Sequence, residues 1–588
     1  MNNVIKKYWL ILILAVAVSF IYGSHYFFIS NILSSQDEVY YPVTVSNNFD
    51  EGMYYGPRAQ AFYLGDFWPG DINLIEYRDS PAMLPFLSPF MLGNLGKVVG
   101  SLKDAFILSD FIFPFLIFIS LYILMFGISN RRSFSIFFAS IFIFIPKIFL
   151  TIPPISPSLF REFLHNILPS SDNALYFIRF EYPQTTFLFF VLAFYFLFKA
   201  LREGGGAMSI YAGISFGVLF YSYLYDWAYF LTSLFIMILF FFLQKDYDRV
   251  RVIFTIIGIG LIFSIFYWIN FINLHSLDYY QDLVSRLGVE ISNNMRLVST
   301  WKTYLRSVIL VFLTWIAWGK KDKVLSNYLI GFLLSIIMVL NIQVITGFNP
   351  QPDHWHKIQF LIIGLSISLL ILWLYEKYIH IISSKILRIT ASLFIIYLFG
   401  SALYGQYDFS KKSADQYILS SAYAESYDWL NKNTNKYSVV GSISVKNNNE
   451  LILHTHNKIF LASGLNSLAP TEELWERSMT ISAIFELSSG DFINFISSNN
   501  FYLFTDKYRD NSFDSYFISL NRVIPNEIIN IKINEYENLS NEFLIENIPY
   551  NLDYIYVSPR DGEFNISNDL ISSWEKVYEN NDIIIYKL

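Results

Sequence analysis

Apolar residues gather into long unbroken runs over the first two thirds of this chain, and into shorter interrupted patterns over the last third. Eleven runs lie at approximately 8–28, 105–128, 134–152, 185–201, 209–224, 227–243, 252–272, 303–319, 325–345, 358–376 and 388–404. Each approaches the roughly 20 residues with which a helix crosses a hydrocarbon core about 30 Å thick. The first run follows Lys6-Lys7, as a signal peptide would, but its length and the lack of an A-x-A-like site favour a retained span. From about Gln406 the composition turns to Asn, Ser, Glu, Asp and Lys. There, helix-like stretches at 426–432, 471–489 and 490–498 alternate with β-prone runs at 437–443, 501–505, 552–557 and 582–586. The pattern predicts a polytopic α-helical membrane protein with about 11 transmembrane helices over 1–404, followed by a small α/β domain over 405–588.

Charge sets the expected orientation. Lys6-Lys7, Arg131-Arg132, Lys199 with Arg202, Lys245/Arg249/Arg251, Lys320/Lys321/Lys323 and Lys377/Lys385/Arg388 fall in alternate short loops. The positive-inside bias makes those loops cytoplasmic, so the N-terminus is expected inside and the C-terminal domain outside the cell membrane. Composition agrees: 54% of the 588 residues are hydrophobic and only 15% charged, far from the roughly 25% charged residues of a soluble domain. A net charge of −7 leaves no basic footprint for nucleic acid. The absence of Cys excludes disulfides, thiolate metal sites and a cysteine nucleophile. Gly204-Gly205-Gly206 is a turn between spans, and no phosphate loop or dinucleotide fingerprint occurs.

Three segments on the outer side, about 29–104, 153–184 and 273–302, are too long to be plain connections. In the first, 50–66 and 81–99 have the character of helices lying at the membrane surface. Ionisable residues concentrate at the outer ends of the spans, with Lys147 and Asp226 nearest to mid-bilayer. No repeated halves with broken helices are evident, so the distribution favours an outward-facing site over a transport pathway.

The most informative stretch runs from Phe49-Asp50-Glu51-Gly52-Met53-Tyr54-Tyr55-Gly56-Pro57-Arg58 to Leu64-Gly65-Asp66-Phe67-Trp68-Pro69. Locally, Asp50 and Glu51 read as an acidic pair opening a helix, where capping and the helix dipole favour negative charge. In order and placement, Asp50, Glu51, Tyr55, Arg58, Gly65, Asp66 and an aromatic at 67 or 68 resemble the first outer loop of GT-C class glycosyltransferases. The likeness is to the lipid A aminoarabinose transferases and protein O-mannosyltransferases, whose early Arg falls here at Met53. The resemblance implies an inverting transfer of a sugar from a polyprenyl-phosphate donor, with Asp50 as general base and Glu51 orienting it or touching the acceptor. The acceptor is a glycan, lipid or protein. Tyr77-Arg78-Asp79-Ser80-Pro81 stands where that family carries a basic residue before Pro, which makes Arg78 a phosphate candidate beside Arg58.

Other phosphate candidates flank the spans: Arg179 before the fourth, and His354, His356 and Lys357 before the tenth. Arg suits bidentate phosphate contacts and Lys supplies a point charge. Snorkelling at the interface explains Arg179 and Lys357 equally well, and a structural role explains the two His. Tyr55, Glu181 and Asp226 are candidates for sugar or acceptor contacts. No motif requires a cofactor or a metal. The alternative enzyme reading is an oligosaccharyltransferase or polymerase with a polyprenyl-diphosphate donor, which would hold a divalent cation (Mg or Mn) at Asp50 and Glu181. A lipid-linked transporter is the alternative outside enzymes.

Overall fold

The computed structural model describes residues 2–34, 40–44, 51–151, 156–170, 174–291, 301–350, 354–355, 357–378, 384–509, 522–562 and 574–588. Asp50 and His356 lie outside the described residues. The chain divides into two compact units: Met1–Ile32, Phe106–Trp268 and Ile291–Asp415 form one, and Leu33–Ala105, Ile269–Glu290 and Gln416–Leu588 the other.

The eleven apolar runs lie mainly on helical backbone among the described residues, with breaks at Ile145 and at 220–223. Among the described residues, seven helices are long and apolar enough to cross a bilayer: Trp9–Ser34, Leu102–Ser129, Phe180–Glu203, Leu224–Leu243, Lys323–Leu340, Gln359–Lys377 and Lys385–Tyr417. The pair Tyr247–Phe263 and Ile265–His275, bent by 59°, makes an eighth if it counts as one span. Arg132–Phe144 and Ala207–Leu219 are apolar but have 13 residues each, about 20 Å of helix, short of a hydrocarbon core. The first of these stops before Pro146, which has no N–H to continue the ladder. Ile262, Phe266, Leu393 and Ile396 are largely exposed on these helices, an apolar surface that calls for lipid.

The first unit also packs backbone on backbone. Ala207–Leu219 carries Gly213-Ile214-Ser215-Phe216-Gly217, and both glycines face the helix Tyr247–Phe263. A Cβ on Gly213 would lie 2.6 Å from Ile259 Cβ, and one on Gly217 would lie 2.5 Å from Phe263 Cβ. Small residues four apart let helices approach where lipid supplies no hydrophobic drive. Gly213→Leu is therefore expected to cost about 1–3 kcal/mol by overpacking. Gly258→Leu, with nothing within 4 Å of its Cβ position, is the control. Equal thermal stability of the two variants in detergent would refute this account of the crossing.

The second unit is built on a five-stranded sheet. Its strands are β1 (Val439–Gly441), β2 (Lys458–Ile459), β3 (Tyr554–Val557), β4 (Glu575–Glu579) and β5 (Ile584–Lys587), in the order β2-β1-β3-β5-β4. β1 is parallel to β2 and β3, while β5 is antiparallel to β3 and β4. Alternate side chains serve opposite faces, as the pleat requires. Val439, Ile555 and Tyr586 join one apolar cluster, and Val440, Tyr556 and Ile585 join the other. The first cluster also takes in Met53, Tyr54 and Leu74 from far earlier in the chain. Backbone follows side chain there: Ile459 N–H donates to the Asn73 carbonyl (3.0 Å), which covers the edge at β2.

The surface stretches of the first long segment contain the helices Gly56–Tyr63 and Leu87–Val99. The run at 501–505 is not a strand; Asn500–Phe504 is a single helical turn that buries Tyr502, Leu503 and Phe504. A short apolar run carries no period that separates a strand from a buried helical turn. Here the Asn500 side chain donates to the Arg522 carbonyl (2.7 Å) and the Tyr502 hydroxyl to the Leu461 carbonyl (3.1 Å), which fixes the turn.

Candidate functional site

Three chain reversals of the first unit bring sequence-flagged residues together. The first is a wide turn, Phe180–Thr185, which opens the helix Thr186–Glu203. Gln184 N–H donates to the Arg179 carbonyl (3.1 Å), and Tyr182 is extended (φ −129°, ψ 122°). Such interruptions at helix ends recur at functional sites. They aim Arg179, Glu181 and Tyr182 away from a regular helical register, and Glu181 is buried. The Gln184 amide holds the turn by donating to the carboxylate of Asp110 and to the Phe177 carbonyl.

The second reversal joins Ala207–Leu219 to Leu224–Leu243 through extended Tyr223. Asp226 sits in the first turn of the second helix, where the dipole favours negative charge. Its side chain is buried, and among the described residues its Oδ2 has no hydrogen-bond partner. A buried carboxylate oxygen without a donor is expensive, so a ligand donor or a proton is the natural complement.

The third reversal precedes the helix Gln359–Tyr378. Trp355 anchors it, with Nε1 donating to Asn349 Oδ1 (2.9 Å) and the Asn349 amide donating to Gln343 Oε1 (2.8 Å). Arg306, on the helix Trp301–Trp318, steadies the same end by donating to Gln359 Oε1 (3.0 Å) and to the Leu150 carbonyl (2.9 Å).

An aromatic cluster knits the three together. The Tyr182 ring stacks on Tyr223 at 4.3 Å between centroids, and Lys357 Nζ lies 5.1 Å from the centre of the Tyr182 ring. The Tyr223 hydroxyl and His354 Nδ1 share a hydrogen bond of 2.6 Å. Tyr225 packs its ring 5.1 Å from that of His354 and donates its hydroxyl to the Pro350 carbonyl (2.9 Å). Burial first, then the charges of Lys357 and Arg179, push the His354 imidazole down to about 3. His354 is thus neutral at pH 7, and the positive field it feels comes from both cations. The Asp226 carboxyl acts electrostatically on the hydroxyls of Tyr176 and Tyr182.

The structure therefore brings Arg179, Glu181, Asp226, His354 and Lys357 into one neighbourhood. Two fixed cations, neutral hydroxyl and imidazole groups and a buried acid, at the ends of apolar helices, suit the headgroup of an anionic amphiphile. Sequence reading missed Tyr182, Tyr223 and Arg306. It also missed Asp110, a buried acid inside an apolar run that stands 3.8 Å from His25 Nε2. A lone carboxylate in such a run was the available signal. Among the described residues, no three His, Asp or Glu side chains stand grouped as metal ligands.

The remaining candidates belong to the second unit. Glu51 begins the turn Glu51–Tyr55, and half-buried Tyr55 packs against the core that contains Met53 and Tyr54. The Arg58 guanidinium is buried and donates to the Pro85 carbonyl. It lines a cavity of about 30 Å³ with Trp68 and Phe86, room for water and not for a sugar. Arg78 donates to Asp66 Oδ1 (2.9 Å) and to the Tyr437 hydroxyl (3.0 Å), and its guanidinium lies 4.2 Å from the centre of the Tyr437 ring.

Neither a protein-family model nor a curated protein matches the chain. Among solved structures, the chain is similar to the apo oligosaccharyltransferase of Archaeoglobus fulgidus, with 11% identity over 94% of this chain and 70% of that one and a TM-score of 0.45. The archaeal oligosaccharyltransferase AglB of the same organism, in complex with an inhibitory peptide and a dolichol-phosphate, matches with 11% identity, the same coverage and a TM-score of 0.41. ArnT from Cupriavidus metallidurans bound to undecaprenyl phosphate matches over 99% of this chain and 98% of that one, with 10% identity and a TM-score of 0.44.

Proposed function

We propose that this chain is an integral-membrane glycosyltransferase that takes a sugar from a polyprenyl-phosphate donor and passes it to an acceptor on the extracytoplasmic side. One observation carries the reading: Arg179 and Lys357 converge on half-buried, neutral His354 and on Tyr182 where three apolar helices begin. That pairing of fixed positive charge with adjoining apolar surface fits a phosphate with a prenyl tail. The order of residues from Asp50 to Trp68 supplies the reaction.

In this reading the acceptor hydroxyl attacks the anomeric carbon while the bond from that carbon to the phosphate oxygen breaks. Asp50 takes the hydroxyl proton, and Glu51 orients it or meets the acceptor. Charge grows on the departing phosphate, where Arg179 can make paired hydrogen bonds and Lys357 adds a point charge. His354 and Tyr223 use one of their two protons in the bond they share, which leaves the pair one neutral donor. Asp226 Oδ2, lacking a partner among the described residues, is suited to accept from a sugar hydroxyl.

The test is binding of labelled undecaprenyl phosphate to the full chain in nanodiscs. Arg179→Gln and Lys357→Gln each remove one charge-assisted contact, so each should weaken affinity about tenfold or more. Unchanged affinity in both variants, with helical content retained, would overturn the assignment of this cluster to the carrier phosphate.

A further inference from the structure

The second unit holds an open cavity of about 690 Å³, within the roughly 300–1,000 Å³ typical of small-molecule sites. Its position in the sheet is informative. From β1 the chain crosses through the helix Val445–His454 to β2 on one side, while β3 lies against the other side of β1. Strand order therefore reverses between β1 and β3. In open α/β sheets, ligands bind at such a reversal, beyond the carboxyl ends of the strands. The cavity is lined there by residues that follow β1 (Ile443, Ser444, Lys446) and β3 (Arg560, Asp561, Gly562).

Its charge is arranged rather than incidental. Arg560 is fixed by donating to Glu450 Oε2 (2.6 Å) and by stacking 3.7 Å from the centre of the Tyr423 ring. Asp561 is occupied in holding the two loops together. It accepts from the Ser442 hydroxyl (3.0 Å), Ser444 N–H (3.2 Å) and the Asn447 amide (3.3 Å). Half-buried Lys446 is different: among the described residues its ammonium has neither an ion pair nor a hydrogen bond. Burial, then the charge of Arg560, lowers its affinity for a proton. Glu450 acts on Lys446 in the opposite sense, but its carboxylate is bonded to Arg560, so the ammonium at the first turn of the helix can still take a ligand's anion. Phe495, Phe501 and Tyr502 also contribute to the cavity's lining, Phe501 with the Arg522 guanidinium 4.4 Å from its ring centre.

We propose that this cavity binds a small anionic organic molecule, a sugar-sized ring bearing a phosphate or carboxylate. The anion would lie at Lys446 and the first turn of Val445–His454, and the ring in the rest of the cavity, whose lining includes Phe495, Phe501 and Tyr502. The site shares no residue with the carrier-phosphate cluster and does not depend on the transfer reading.

Calorimetry on the full chain in nanodiscs, with glucose 1-phosphate, glucuronate and glucose, tests it. At least one anion should bind ten or more times tighter than glucose, and added salt should weaken it. Lys446→Gln should lower that affinity at least tenfold without moving the melting temperature, and Lys357→Gln should leave it unchanged. Preference for glucose 1-phosphate would mark a phosphate ligand, and preference for glucuronate an acidic sugar. The proposal is overturned if neither anion binds, if glucose binds as tightly, or if Lys446→Gln binds like the wild type.

Discussion

Asp50→Asn is expected to slow transfer of labelled sugar from a defined polyprenyl phosphate by about 10²–10⁴-fold, the span typical of a lost general base. The amide keeps the shape of the carboxyl group but cannot take a proton from the acceptor. Affinity for undecaprenyl phosphate should hold, because the phosphate contacts are assigned to Arg179 and Lys357. The two variants at those positions should fail earlier, in carrier binding. Equal transfer rates for wild type and Asp50→Asn would remove this residue from the reaction, and with it the centre of the sequence resemblance.

The second large effect concerns stability. Asp71 is wholly buried in the second unit, and its carboxylate accepts four hydrogen bonds: from Asn73 N–H (2.7 Å), Leu74 N–H (3.0 Å), the Ser467 hydroxyl (2.9 Å) and Leu468 N–H (2.8 Å). It also acts on two buried cations, Lys458 and Arg286. Burial pushes the Lys458 ammonium down to about 8, although Nζ donates to the Ile72 carbonyl (2.8 Å). Arg286, pushed down to about 10, donates to the carbonyls of Ala469 (2.7 Å) and Ser467 (2.6 Å). Asp71→Ala strips the acid from this set and orphans several donors, for a loss of about 3–5 kcal/mol. Differential scanning calorimetry should register a fall of about 6–20 °C in the transition of this unit. A shift under about 2 °C would show that water replaces the carboxylate.

Much of this was legible in the chain. Long apolar runs locate the helices, because a lipid-facing helix has no polar face to interrupt it. Arg179, His354 and Lys357 stood out because charge at the edge of such a run is conspicuous. Tyr182 and Tyr223 did not, being two among 42 tyrosines whose roles only the chain reversals reveal. Asp110 was missed although it is a lone acid in an apolar run, and its partner Gln184 lies 74 positions away. The strands β1, β3 and β5 showed their β-branched and aromatic content. The edge strand β4, Glu575–Glu579, did not, since its charged residues guard an exposed rim and mute the pattern. Nothing in composition links Asn73 to Ile459, because a backbone pairing carries no side-chain signature.

That pairing, and the burial of Met53, Tyr54 and Leu74 among residues after 438, set a schedule for biogenesis. A ribosome adding about 5–20 residues per second needs on the order of half a minute to two minutes between the early loop and β5. For that interval Met53, Tyr54 and Leu74 lack the later residues that bury them, and are open to chaperones or to misassembly. A gene fragment starting at residue 416 would meet the converse difficulty, displaying the floor on which those three side chains rest.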